Sequence, residues 1–257
     1  MSWSARWVTW RNAWRQAWAH RVSSWAQVAM MFVNDTIWVL FWVLVFERVD
    51  SIRGWDVDDV VVLMAIITTS AGLVIGFANN IRHISHLAAT GGLDATLALP
   101  VSPLSFLLSS RIEAIAMGDV LFGVTLFASL GSPTPTRVAV FAFSVLCAVS
   151  IISGFLIVVG SLGFWTSRTE AGDLGFQAIV LFSIYPVDIF GGVTKFLLYA
   201  VIPAGFITAI PARLVSEFDV SAALAVFAVA VFAGTAGWAT FTLGLRRYTS
   251  GATWTQA

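Results

Sequence analysis

The only lysine in the chain, Lys195, stands in GGVTKFLLY. It lacks both the preceding glycine and the following hydroxyl residue of a phosphate-cradling G-x-x-x-x-G-K-[ST] loop, so the chain has no ATP site of that kind. His83 and His86 form an H-x-x-H pair on a polar segment, and His20 is the only other histidine. Two ligands without a nearby Cys or Glu are too few for a metal, which leaves solvent-facing or partner-facing roles. No histidine falls in an apolar run, no H-E-x-x-H occurs, and paired aspartates at membrane depth are missing, so an intramembrane hydrolase is not expected. Cys147 is the single cysteine, which excludes an intrachain disulfide and a multi-cysteine metal site.

Arg111, Glu113 and Asp119 are of a different kind, because they interrupt the apolar stretch 104–130 and charge is costly in hydrocarbon. A span starting near Leu104 would place Asp119 close to the bilayer middle, at ~1.5 Å per residue. If residues 101–110 form an interfacial helix instead, only Asp119 is immersed. These residues serve either as a contact for substrate or a partner helix, or as an internal ion pair or hydrogen bond. Both readings stay open.

The elements that must position these residues are membrane helices. Of 257 residues, 58% are hydrophobic and 11% charged, with a mean hydropathy of +0.87. A soluble domain carries roughly a quarter of its residues as charges, so most of this surface faces lipid. Acidic and basic residues balance at 14 each, which leaves no basic face for nucleic acid. At the N-terminus Trp3, Trp7, Trp10, Trp14, Trp18 and Trp25 share one helical stripe, opposite Arg11, Asn12, Arg15, Gln16 and His20. Segment 1–27 therefore reads as an amphipathic helix lying in the membrane interface. Its spread of arginines does not suit a cleaved signal.

Apolar runs at 28–46, 60–78, 104–130, 138–165 and 220–245 are long enough, or nearly so, to cross a ~30 Å hydrocarbon layer. Two shorter runs, 174–190 and 196–212, are interrupted by Pro186, Pro203 and Pro211, with Asp188 between them. Full crossing of both gives seven spans; a broken, re-entrant hairpin over 185–219 gives six. Arginine placement favours six with both termini cytoplasmic. Arg6, Arg11, Arg15, Arg21, Arg82, Arg168, Arg246 and Arg247 then lie inside, and Arg48, Arg53, Arg137, Lys195 and Arg213 outside. Small residues at Gly72 and Gly76, and at Ser150, Gly154, Gly160 and Gly163, predict close helix packing.

The order of these parts resembles the permease subunits of ABC-2 type transporters. The most specific pieces are GGLDATLALPVSPLSF at 91–106, YPVDIF at 185–190 and VIPAGFITAIPARL at 201–214. They look like an uncharacterised branch usually paired with a second permease and a separate ATPase. The resemblance implies an all-α, multi-pass permease of the cell membrane, a single domain over 1–257, non-catalytic and exporting. Its partners would be ABC ATPase subunits and a second copy or related permease, with ATP and Mg bound in the ATPase. The loop 79–103 would hold a coupling helix, with Arg82, His83, His86, Leu93, Asp94 and Leu97 facing the ATPase, while Tyr185, Pro186, Asp188, Pro203 and Pro211 would shape the outer hairpin. The apolar, Phe-rich fourth and fifth spans suit an amphipathic or hydrophobic small molecule, and the superfamily also moves lipid-linked compounds. The alternatives are a secondary transporter or channel subunit, which would ordinarily show a repeated pair of interrupted helices, and a non-transporting scaffold.

Overall fold

A computed structural model of the chain describes residues 3–166 and 169–249. Arg168, counted above among the cytoplasmic arginines, lies outside the described residues, as do the side chains of Trp3 and Arg6. Among the described residues every regular element is helical, and the one strand-like pairing is a single bridge between Ile52 and Trp55. In chain order the helices are α1 Trp3–Ala17, α2 Arg21–Phe46, α3 Val57–Ala78, α4 Ile84–Thr90, α5 Asp94–Leu97, α6 Pro103–Leu107, α7 Ala116–Leu130, α8 Pro135–Ser161, α9 Gly163–Thr166, α10 Ala171–Ser183, α11 Gly192–Ala200, α12 Ile210–Ser216 and α13 Val220–Leu245. A 3₁₀ segment, Asn79–His83, joins α3 to α4, and a π-helical segment, Gly205–Ala209, precedes α12. Four helical segments are long and apolar enough to cross a membrane, or five if the bent α11–α12 pair counts as one. The chain is thus a multi-pass membrane protein.

Burial ranks the long helices. The most apolar stretch of α3 is 89% buried, against 22% for α2 and for α13, so α3 runs through the centre and the other two flank it. A helix apolar all round fits such a site. The exposed faces of α2 (Val33, Ile37, Leu40, Leu44) and α13 (Leu224, Phe227, Val231) carry side chains suited to lipid.

Small residues set the two tightest crossings. A Cβ at Gly72 would meet Asp119 Cβ at 2.8 Å and the Ala116 carbonyl at 2.9 Å, and one at Gly154 would overlap the Ala233 backbone. Ser150 Oγ donates to the Ala230 carbonyl at 2.9 Å in the same α8–α13 seam. The seam is the kind of backbone approach that compensates for the lack of a hydrophobic drive in lipid.

The polar connections gather at two ends of the bundle. At one, Trp10 and Trp14 of α1 stack on Phe77, Asn79 donates to Glu113 (3.0 Å), Asn80 to Ser110 (2.7 Å) and Ser85 to the Thr169 carbonyl (2.8 Å). At the other, Trp55 donates to Asp188 (2.9 Å) and Ser216 to Asp59 (2.8 Å). Helices α3, α8 and α13 all start at this second end. Each is capped by a side chain: Asp56 accepts from the Asp59 amide, Thr134 from that of Arg137 and Asp219 from that of Ala222. An N-cap oxygen there satisfies an amide that the helix leaves open.

Of the two readings of stretch 104–130, the structure has the one with a separate short helix: after α6 the chain is irregular over 108–115, and α7, which carries Asp119, starts only at Ala116. The serine pair Ser109–Ser110 and the charges that follow favour local and solvent hydrogen bonds over continued helix. Segment 79–103 contains the short helices α4 and α5, and α3 continues through the 3₁₀ turn into α4 as one 34-residue run, Val57–Thr90.

Candidate functional site

Three places hold the residues singled out from the sequence. The first is the α1 end. Arg82 places both Nε and Nη2 on Asp173 Oδ1, at 3.1 and 2.8 Å, and its guanidinium lies 4.5 Å over Phe176, so it ties α4's approach to the start of α10. His83 is half-buried and His86 exposed. Leu93 is fully buried within this chain, whereas Leu97 and Leu99 are each 43% exposed. The apolar anchors available to a partner are therefore Leu97 and Leu99, with Leu93 serving the internal core. Asp94 accepts a 2.8 Å hydrogen bond from Tyr248, just past α13. Burial, then this bond and the carboxylate's charge, push the Tyr248 phenol up to about 12, so it stays a donor at neutral pH.

Arg111 and Glu113 also belong to this end. They form a 2.8 Å pair in the irregular stretch before α7, half-exposed on the arginine side. Neither reaches the bundle interior. Asp119 alone does, from the first turn of α7.

The second place is a cavity of about 420 Å³ between α2, α3, α7 and α10. Asp119 enters it from α7 and Asp35 from α2, and the two carboxyl groups interact directly. Asp35 is only 5% exposed, and its Oδ2, like Oδ1 of Asp119, is buried without a hydrogen-bond partner. The walls are mostly apolar, with Trp38, Met64, Ile67 and Val180 among them, and Arg82 also lines the cavity. The expectation that paired aspartates are missing at membrane depth is thus overturned. Asp35 went unnoticed because a single carboxylate is averaged away in the apolar run 28–46. The neighbouring Asn34 and Thr36 were the available signal.

The third place is the hairpin. Helix α11 and the Gly205–Ser216 helix bend by 72° across Val201–Ala204, where the Pro203 carbonyl accepts from the amides of Phe206 and Ile207. Pro211 lies inside the continuous Gly205–Ser216 helix, directly after the π-helical segment, whose wider turn fits a residue that has no amide to donate. Asp188 is the knot of this region. Its Oδ1 accepts from Lys195 of α11 at 2.7 Å, and its Oδ2 from Arg213 of α12 at 3.0 Å and from Trp55 at 2.9 Å. Trp55 is presented by a mirror-image turn, Arg53 and Gly54 having φ of 53° and 78°, that closes the Ile52–Trp55 bridge. Burial raises the Asp188 carboxyl, but the bonds from Lys195 and Trp55, with the positive charges, outweigh it and hold the group below its ordinary value. Tyr185 packs edge-on to Trp42 at 5.8 Å, and the Trp42 indole donates to the Ile184 carbonyl at 3.2 Å just before Pro186. The parts played by Trp55 and Trp42 were not foreseen, because both arise from contacts distant in sequence.

A largely buried central helix, a broken hairpin at one end and a helical elbow at the other characterise this membrane bundle. The sequence matches the model of the ABC-2 family transporter protein over residues 32–252. The chain belongs to that family, whose members normally work with an ABC ATPase. Searches of curated proteins and of solved structures gave no match.

Proposed function

We propose that this chain is the membrane-spanning permease subunit of an ATP-driven exporter, powered by separate ABC ATPase subunits that bind the ATP and Mg. The observation that carries the reading is the family match over 32–252 in a chain whose only lysine lies in no P-loop. Helices α2, α3, α7, α8, α10 and α13 are the six spans, α11–α12 is an outer re-entrant pair, and both termini lie in the cytoplasm. Helix α1 lies in the inner interface of the cell membrane. Support comes from the sorting of polar connections. The α1 end holds Arg11, Arg15, Arg21, Arg82, Arg111, Arg246 and Arg247; the hairpin end holds Arg48, Arg53, Arg137, Lys195 and Arg213. The richer end is the cytoplasmic one. Helices α7 and α10, at 15 and 13 residues, reach only about 22 and 20 Å. Short turns at 114–115 and 184–186 extend these two helices toward the polar ends where Glu113 and Asp188 sit.

The coupling element is α4–α5 with the turn after it. Leu97 and Leu99 seat in the ATPase, Asp94 is steadied by Tyr248, and the polar face of Arg82, His83 and His86 orients the elbow. Two permeases, either two copies or this chain with a related one, complete the transporter. Its cargo is an amphipathic or hydrophobic small molecule, or a lipid-linked compound. The test is co-expression with a cognate ABC ATPase. Wild type should co-purify with it and show ATP-dependent substrate movement in liposomes, and Leu97→Asp should lose the ATPase while still inserting. Transport by the chain alone, without any ATPase, would instead establish a secondary transporter or channel.

A further inference from the structure

Two carboxylates in an apolar cavity require a partner that the chain does not supply. Among the described residues no Lys, Arg or His pairs with Asp35 or Asp119. The one cation at the cavity, Arg82, is already committed to Asp173 and Phe176. Asn34 and the mutual contact of the two acids still leave Asp35 Oδ2 and Asp119 Oδ1 without partners. Two carboxyl groups in contact in low dielectric share a proton, so the pair carries one negative charge that no cation of the described chain offsets, and ionisable groups at membrane depth mark substrate pathways. Most of the remaining wall suits an apolar body, with Trp38, Met31, Ile67, Val180 and Leu181 lining it alongside the polar Thr68 and Gln177. Its volume of about 420 Å³ lies within the ~300–1,000 Å³ of sites that take drug-sized ligands.

We propose that this cavity binds a lipophilic monovalent cation, its charge held between Asp35 and Asp119 and its apolar body against Trp38 and the aliphatic wall. This names the substrate class of the permease and rests on that reading. The acids supply the attraction, and Trp38 adds a cation–π contact that a neutral ligand would not gain. Gly72 is what brings Asp119 to the cavity, because any side chain there would push α7 off α3. The same charge can arrive on a free organic cation or on the amine of an aminophospholipid from the surrounding leaflet.

The test uses the full chain in nanodiscs of phosphatidylglycerol and measures equilibrium binding of radiolabelled tetraphenylphosphonium. Binding should be saturable, and Asp35→Asn and Asp119→Asn should each weaken it at least tenfold. Asp119→Glu should stay within about threefold of wild type, and Glu47→Gln, a carboxylate outside the cavity, should leave binding unchanged. Each variant is first required to be monodisperse. Tetraphenylborate, the isosteric anion, should not compete. Competition by added phosphatidylethanolamine would identify the lipid amine as the natural source, and its absence a free cation; both outcomes agree with the site. Absence of saturable binding, binding indifferent to both Asn variants, or competition by tetraphenylborate equal to that of the unlabelled cation would overturn it. The assay contains no ATPase, so its failure is separate from failure of the permease reading, which is judged by ATPase co-purification.

Discussion

Replacing Asp188 separates the hydrogen-bonding and charge contributions to the hairpin. Three donors meet on this carboxylate, but they are not equal. Lys195 and Arg213 have side chains 44% and 51% exposed, so water screens both pairs, and the one with Arg213 contributes less than about 1 kcal/mol. Trp55 is fully buried, and its indole has Asp188 as its acceptor. Leaving a buried donor unsatisfied costs about 1–3 kcal/mol. Asp188→Ala removes all three interactions and should destabilise the hairpin region by about 2–3 kcal/mol, most of it from the indole. Asp188→Asn keeps an oxygen for Trp55 and should lose only about 1 kcal/mol. Scanning fluorimetry in nanodiscs should show a fall of roughly 4–10 °C in Tm for the alanine variant and about a third of that for asparagine. Proteolysis over 185–219 should follow the same order. Equal losses in the two variants would mean that charge, not the indole bond, holds the hairpin, and an unchanged Asp188→Ala would remove the knot altogether.

The same carboxylate gives a pH signature. Its value is depressed in the folded chain, so its stabilisation is present above the ordinary carboxylate value of about 3.9 and is lost as pH falls below it. Protease resistance of the hairpin should therefore be flat from about pH 5 to 8 and decline below about 4, and Asp188→Asn should flatten that decline. Tyr248→Phe deletes one oxygen and with it the bond to Asp94. It should cost about 1 kcal/mol of local stability while lowering ATP-driven transport severalfold relative to ATP hydrolysis; an unaltered ratio would show that α13 does not steady α5. Gly154→Ala forces a Cβ into the Ala233 backbone and should destabilise the α8–α13 seam by about 1–3 kcal/mol, read as Tm, whereas Gly234→Ala, which meets nothing nearer than 3.5 Å, should be close to neutral.

What was legible in the sequence was whatever is written locally. The long apolar runs, the proline interruptions and the small residues at Gly72 and Gly154 each announce a membrane helix, a break or a close crossing through their own chemistry. Helix starts after Asp56 and Thr134 lie three residues before the apolar runs at 60 and 138, because the side-chain caps that set them are polar and do not register in an apolar run. The break at 108–115 was harder, because composition over 104–130 stays apolar on average and only Ser109, Ser110, Arg111 and Glu113 spoil the helix. Leu93 and Leu97 look alike as letters, yet one is buried beneath the elbow and the other exposed on it, a difference made by the turn between α4 and α5. The cavity was not legible at all. Its defining feature is that a carboxylate on α2 and another on α7 meet, and no periodicity or spacing encodes a meeting between helices that α3 separates in sequence.

Helix α3 links all three places physically. Its first turn holds Asp59, bonded to Ser216 of the hairpin; its middle supplies Met64, Ile67 and Thr68 to the cavity wall; its continuation carries Ile81 and Ile84, fully buried beneath the elbow. Because the run Val57–Thr90 is helical throughout and 89% of its most apolar stretch is buried, a push at α4 bears on a continuous rod that gives way most readily on the side where Met64, Ile67 and Thr68 border the cavity. A displacement of the elbow must then shift the cavity wall against Asp35 and Asp119, or strain the Asp59–Ser216 bond, or both. The 3₁₀ turn Asn79–His83 is the one place along this rod where the helical ladder changes pitch. It lies between α4 and the cavity, and Asn79, Asn80 and Arg82 clamp it to Glu113, Ser110 and Asp173. Those clamps fix the pitch change to the segment just before α7 and to the start of α10, and both of these helices also wall the cavity that holds the acid pair.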